Sequence, residues 1–131
     1  MRVLMISPGI FPLPPVRGGG VERHITDLVI SLAKYVDEIH LISDVISESY
    51  FPDNVIIYKT NTPRLSFTKG FIGWGLNLSI GGLYSLKTSL KVICRNKMKF
   101  DIIHSHEVIS TQILSLIRDF GIREFKVPII P

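Results

Sequence analysis

Three consecutive glycines, Gly18-Gly19-Gly20, stand between a short apolar run and an amphipathic segment, and this junction limits what the chain can become. The run Val3-Leu4-Met5-Ile6 is too short for a core helix and reads, over residues 2–7, as a buried strand. Pro12, Pro14 and Pro15 keep the loop over residues 8–20 out of helix. From Val21 onward, Val21, Ile25, Leu28, Val29, Leu32 and Ala33 recur at helical spacing, which predicts a helix over 21–35 with one apolar face. Glu22 falls in its first turn, where negative charge meets the positive end of the helix dipole. Arg23 and Asp27, four apart, are spaced to pair on the wet side. Strand, glycine turn and helix together make an anion cradle. Glycine lets the backbone bend and approach a ligand closely, and the first N–H groups of the helix are left facing outward.

The rest of the chain repeats this rhythm. Strands are predicted at 38–43, 55–58 and 100–105, and another begins at Lys126. Between them, a helix is expected from about Leu76 to Lys97, weakened by Gly81-Gly82, after an irregular stretch at 60–75. A second follows from Val108 to Phe120, with Ile109, Ile113, Leu116, Ile117 and Phe120 as its apolar side and Gly121 placed to end it. Strands alternating with helices imply an α/β domain: a doubly wound, Rossmann-like parallel sheet with flanking helices. At 131 residues this is one domain, spanning the whole chain.

Charge is unevenly distributed. Between Asp53 and Asp101 there are eight bases and no acid, whereas the remainder carries seven bases against eleven acids. Such a segment suits an anionic partner or a solvated basic face. Lys87, Lys91 and Arg95, four apart, form a basic stripe beside Leu86, Leu90 and Ile93, a pattern that fits an interfacial helix on anionic lipid. The uncharged run from Gly70 to Leu86 holds five glycines, two serines and an asparagine, which argues against a membrane span. The N-terminus lacks the apolar core and cleavage site of a signal peptide, so a cytoplasmic chain is expected, with a possible peripheral place on the inner membrane face. Cys94 is the only cysteine, which excludes an intrachain disulfide, and it reads as a small buried hydrophobe. Nucleic acid is not an expected partner, because the basic run has few aromatics and no recognition motif.

Ligands of open α/β sheets bind outside the carboxyl ends of the strands. The glycine turn is one such end. Asp101-Ile102-Ile103-His104-Ser105-His106-Glu107 supplies another. Alternate strand residues share a face, so His104 and His106 point the same way. His106, nearer the carboxyl end, is the stronger candidate for touching a ligand. His104 reads either as a hydrogen-bonded residue under the rim or as part of the site. His24, one turn into the first helix, can reach the same cleft, and His40 reads as structural. The two paired histidines with Glu107 nearby give no third metal ligand at a recognisable spacing, so no metal is expected. The glycines match neither a dinucleotide fingerprint nor a P-loop, and no G-x-S-x-G elbow is present.

The strand Val3–Pro8, the prolines 12, 14 and 15, Gly19-Gly20-Val21-Glu22, the helix through Leu28, Leu32 and Ala33, and Phe100-Asp101-Ile102-Ile103-His104-Ser105-His106 together resemble the N-terminal domain of GT-B glycosyltransferases of the family 4-like group. That resemblance implies the acceptor-side half of a retaining enzyme that moves a sugar from a nucleotide-sugar to a lipid-linked, glycan or protein acceptor. It implies the nucleotide-sugar as co-substrate and no other cofactor. Gly18, Gly19, Gly20, Glu22, His24 and His104 would then bind donor phosphate or acceptor, His106 would act in catalysis, and Lys87, Lys91 and Arg95 would face the membrane or acceptor. The family pattern continues beyond Pro131 to more sheet and a donor domain, so the expectation is a truncated domain, inactive alone, that needs a donor domain or partner chain. Two alternatives stand beside it: a non-catalytic fragment or subunit that keeps the fold, and another GT-B sugar-nucleotide enzyme such as an epimerase.

Overall fold

The computed structural model describes residues 1–8, 11–16, 19–44, 47–63, 70–96, 100–120 and 127–131, with backbone alone at 70–72, 74, 95–96 and 120. Five strands, β1 (Arg2–Ile6), β2 (Glu38–Ile42), β3 (Val55–Tyr58), β4 (Ile102–Ser105) and β5 (Ile129–Ile130), pair in the order β3-β2-β1-β4-β5. Every pairing is parallel. Three helices connect them: α1 (Gly20–Leu32), α2 (Gly70–Asn96) and α3 (Val108–Phe120). A single 3₁₀ turn, Glu48–Tyr50, interrupts the loop before β3. The fold is α/β and Rossmann-like.

The strand residues show why. Val3, Leu4, Met5 and Ile6 are all buried, because β1 is central and covered on both faces. Alternation then sorts the core into two layers. Val3, Met5, Ile39 and Leu41 meet Ile25 and Val29 of α1 on one face. Leu4, Ile6, Ile42 and Ile103 meet Leu86 and Val92 of α2 and Leu114 of α3 on the other. The chain leaves β1 toward one layer and β4 toward the opposite one. The carboxyl ends of these neighbouring strands are therefore the point where the winding reverses, the place where folds of this kind hold their ligand crevice.

Several expectations need correction. Helix α1 ends at Leu32, and its buried stripe is Glu22, Ile25, Thr26 and Val29. Val21 is 49% exposed. The inward arc is thus centred one residue later than the apolar spacing suggested, and it carries a carboxylate inside. Arg23 and Asp27 are both exposed, and no ion pair joins them among the described residues. Helix α2 starts at Gly70, within the stretch expected to be irregular. Its early turns gain side-chain bonds to their own backbone, from Asn77 to the Gly73 carbonyl and from Ser79 to the Gly75 carbonyl. In α3 the fully buried apolar residue among those described is Leu114, while Leu116 is 53% exposed. Cys94 is exposed on the outer side of α2, not a buried hydrophobe. Phe120's side chain, Gly121 and Lys126 lie outside the described residues. Among the described residues no helix is long and apolar enough to cross a membrane.

Gly82 has a packing reason to be there. A Cβ at this position would overlap Glu107 Oε1 and would stand 2.8 Å from Glu107 Cδ and 3.0 Å from Ile109 Cδ1. Glycine lets the first turn of α3 lie against the backbone of α2. Glu107 in turn caps α3: its Oε1 accepts the Ile109 N–H at 2.9 Å and its Oε2 accepts the Ser110 N–H. A carboxylate at this end also meets the favourable pole of the helix dipole.

Candidate functional site

The crevice is built from the segments that follow β1 and β4 and from the first turn of α1. Gly19 caps α1 in the left-handed region, at φ 75° and ψ 67°. It offers no side-chain cap. Its carbonyl accepts the Arg23 N–H at 2.9 Å, while the N–H groups of Gly20, Val21 and Glu22 find no acceptor among the described residues. Gly20 faces open space, with nothing within 4 Å of where a Cβ would stand. This turn therefore presents free main-chain donors at the positive end of a thirteen-residue helix. Gly18 lies outside the described residues.

Glu22 stands differently from its neighbours. It is 3% exposed, and its carboxylate turns back on the cap: a Cβ on Gly19 would come within 2.7 Å of Oε2. Three residues beyond the cap is the position from which an acidic side chain braces a helix start. Its place is inside the turn, not on the open side where an anion would arrive, so it positions Gly19.

Across the crevice, the backbone of His106 extends the pairing of β4, donating its N–H to the Ile6 carbonyl at 3.0 Å. His104, in register with Met5, shares its face with His106, and the two ring centroids are 4.3 Å apart. The His24 ring meets His106 edge-on at 5.7 Å. The structure thus brings His24, His104 and His106 together, half an expected site from α1 and half from β4. Burial pushes the His106 pKa down to about 4, and repulsion from His104 and His24 adds to this. His104 is lowered too, chiefly by burial and then by His24. The cluster is neutral at pH 7 at these two rings, so each can donate and accept hydrogen bonds. His106 Nε2 is buried and has no hydrogen-bond partner among the described residues. His104 makes no hydrogen bond among the described residues, in contrast to the rim residue bonded to its surroundings that was one expectation.

Glu107 does not complete a metal set, because it is 4% exposed and both its oxygens are committed to the α3 cap. Among the described residues no group of three His, Cys, Asp or Glu is placed to hold a metal ion. Sequence reasoning missed two serines. Ser7 Oγ, just past β1, and Ser110 Oγ, in the first turn of α3, are buried without hydrogen-bond partners. Their signal was position alone: both fall at carboxyl ends of the two strands where the winding reverses. Buried polar atoms left unpaired are uncommon and call for an explanation such as a ligand or bound water. Ser105 is different, since its hydroxyl bonds to the Glu107 backbone and fixes the bend after β4. Ser85 of α2 anchors the bend after β1 by donating to the Ser7 carbonyl at 3.1 Å.

The basic stripe lies apart from this crevice. Lys87 and Lys91 are exposed on α2 and line a recess of about 660 Å³ between that helix and the end of β3. The side chain of Arg95 lies outside the described residues. His40 is buried and structural: its Nδ1 lies 3.1 Å from the Tyr58 hydroxyl, and its ring packs on Tyr58 and Phe100. Compared with protein-family models and with curated protein sequences, the chain matches none.

Proposed function

We propose that this chain is the N-terminal, acceptor-side domain of a retaining GT-B glycosyltransferase of the family 4-like group. The observation that carries the reading is the pairing, at one reversal point of a parallel sheet, of a glycine turn with free N–H groups and a neutral, unpartnered His106. In sugar transfer, negative charge develops on the leaving diphosphate as the glycosidic bond breaks. Donors already fixed in place stabilise that charge without reorganising. The N–H groups of Gly20, Val21 and Glu22 are such donors, and Gly19 sets their direction. His106, depressed to a pKa of about 4, is uncharged at neutral pH. Its Nε2 suits a hydrogen bond to a sugar hydroxyl, which would orient donor or acceptor. Burial, with repulsion from His104 and His24 adding to it, keeps that ring unprotonated.

The nucleotide-sugar is the co-substrate, and the second wall of the cleft comes from a donor domain, in the same polypeptide or in a partner. Lys87, Lys91 and Arg95 face a lipid-linked or anionic acceptor at the inner face of the membrane. Both walls are needed to hold the reacting groups at attack distance. Two measurements test the reading. Uridine diphosphate sugars added to the chain should shift the ring resonances of His24 and His106 and raise the His106 pKa, because a diphosphate beside an imidazole favours its protonated form. Gly19→Val should abolish these shifts, and should cripple transfer when a donor domain is supplied. Unmoved histidine resonances at millimolar nucleotide-sugar would remove the crevice from the mechanism. Flotation with anionic vesicles tests the membrane part: Glu at 87, 91 and 95 should abolish binding, and unchanged flotation would refute it.

A further inference from the structure

The geometry points to a second anion site, distinct from the crevice: the recess between β3 and α2 binds the phosphate of a phosphorylated small molecule or headgroup. It rests on no part of the crevice, but it shares Lys87 and Lys91 with the membrane-facing part of the proposed function, from which the charge-neutral Tyr84 and Asn61 variants separate it. Ile57, Tyr58, Lys59, Thr60 and Asn61 form one wall, and Tyr84, Lys87, Thr88, Lys91 and Val92 form the other. A recess of about 660 Å³ falls in the range of small-molecule pockets, with room for a phosphate and the group that carries it.

Some donors in it are engaged and others are not: the Thr60 and Thr88 hydroxyls donate to Asp44 Oδ1 and to the Tyr84 carbonyl. Lys59 is taken, since its ammonium lies 2.7 Å from Glu48 Oε1. Lys87 and Lys91 have no acidic partner among the described residues. They lie four apart on one face of α2, where like charges repel, and a phosphate between them would relieve that repulsion. Lys87 is already held in position, with Nζ 5.9 Å from the centre of the Tyr84 ring. The Tyr84 hydroxyl and the Asn61 carboxamide also make no hydrogen bond among the described residues, and both line the recess.

The opposite wall is fixed by its own bonds. Asp44 Oδ1 accepts from the Thr60 hydroxyl at 2.8 Å and from the Asn61 N–H at 2.9 Å, which engages the nearby acid and sets the loop. Asn61 sits in the left-handed region at φ 51°, a conformation asparagine tolerates better than most residues. Two ammoniums, a phenol and a carboxamide lining one recess, with Asp44 and Glu48 beside it already engaged, have the chemistry of a phosphate-binding set.

The test uses the whole chain and two kinds of probe. Inorganic phosphate and glycerol 1-phosphate, followed by titration calorimetry, test a soluble source. Sedimentation with phosphatidylcholine vesicles containing phosphatidic acid tests a lipid source. Binding to either supports the site, and the arm that binds identifies the source. Lys87→Ala with Lys91→Ala should lower affinity about a hundredfold, roughly tenfold for each charged contact. Tyr84→Phe and Asn61→Gly leave net charge unchanged, and Asn61→Gly keeps the left-handed backbone; each should lower affinity about threefold. Lys34→Ala with Arg118→Ala removes the same charge elsewhere and should have little effect. No binding by either probe overturns the proposal. So does binding that Tyr84→Phe and Asn61→Gly leave untouched, or that falls equally in the Lys34 and Arg118 control, because the attraction is then diffuse charge and not a site.

Discussion

Two glycines of one helix should respond oppositely to the same added methyl group. Gly75 of α2 has nothing within 4 Å of its prospective Cβ, so Gly75→Ala brings only the better helix propensity of alanine, about 0.5–1 kcal/mol of stabilisation. Gly82→Ala gains the same propensity but drives a methyl onto the Glu107 carboxylate and to 3.0 Å from Ile109 Cδ1. Either α3 moves off α2, a repacking that costs about 1–3 kcal/mol, or Glu107 swings away and α3 loses its cap, at about 0.5–2 kcal/mol. After the propensity gain, a net loss of up to about 2 kcal/mol remains. For a chain of this length each kcal/mol moves Tm by about 3–5 °C, so the two variants should separate by up to roughly 10 °C in opposite directions, measured by thermal and urea unfolding followed by circular dichroism. Glu107→Ala supplies the internal check. Once the carboxylate is gone, Gly82→Ala should be close to neutral, and the cycle should return a coupling of up to about 2 kcal/mol. If Gly82→Ala stabilises as Gly75→Ala does, the α2–α3 contact does not account for the glycine.

The start of α1 gives a similar contrast. Gly19→Ala should cost about 1–2 kcal/mol, because the residue is left-handed and its Cβ would stand 2.7 Å from Glu22 Oε2, while Gly20→Ala should change stability by less than about 0.5 kcal/mol. Equal effects in urea unfolding would deny Gly19 its special backbone. The histidine cluster makes stability pH-dependent. His106 is depressed from 6.5 to about 4, so between these values the unfolded chain binds a proton that the folded chain refuses. The contribution is complete above pH 6.5 and is lost as pH falls toward 4, about 2 kcal/mol once partial exposure is allowed for. His106→Asn should remove that part of the slope, leaving the smaller share from His104 and His40, which burial lowers in the same direction. A variant with the full acid sensitivity of the parent would show that His106 is not desolvated.

The central strand was legible because a parallel strand buried on both faces is a short continuous apolar run, as Val3–Ile6 is; Val55–Tyr58 reads the same way in sequence although it lies at the sheet edge and is only partly buried. The order of two layers followed from alternation. Helix faces were less legible where a single buried polar residue shifts the arc. Glu22 and Thr26 occupy inward positions of α1, so an apolar count places the stripe toward Val21. The early turns of α2 were hidden by glycine, whose propensity penalty is real but smaller than what long-range packing returns. Gly82 is the clearest case, since its reason lies in Glu107, twenty-five residues away in sequence. Of the crevice, the alignment of His104 with His106 was readable from strand geometry, but the arrival of His24 depended on the tilt of α1. The role of Glu107 depended on where α3 begins.

The proposed anion site has to be reconciled with two carboxylates close to it. Glu22 and Glu107 both lie at helix starts on this side of the sheet, and both are buried. Left facing the opening, they would repel a phosphate. Glu107 is fixed by two N–H groups of α3 and directs its charge into that helix. Glu22 folds against Gly19 at the start of the other. The two helices nevertheless differ at their openings. The cap of α3 is filled by a carboxylate from its own chain, whereas the first N–H groups of α1 have no acceptor among the described residues. A helix start that is already capped has little left to offer a ligand. On the proposed function, the main-chain donors for an anion therefore come from α1 and not from α3.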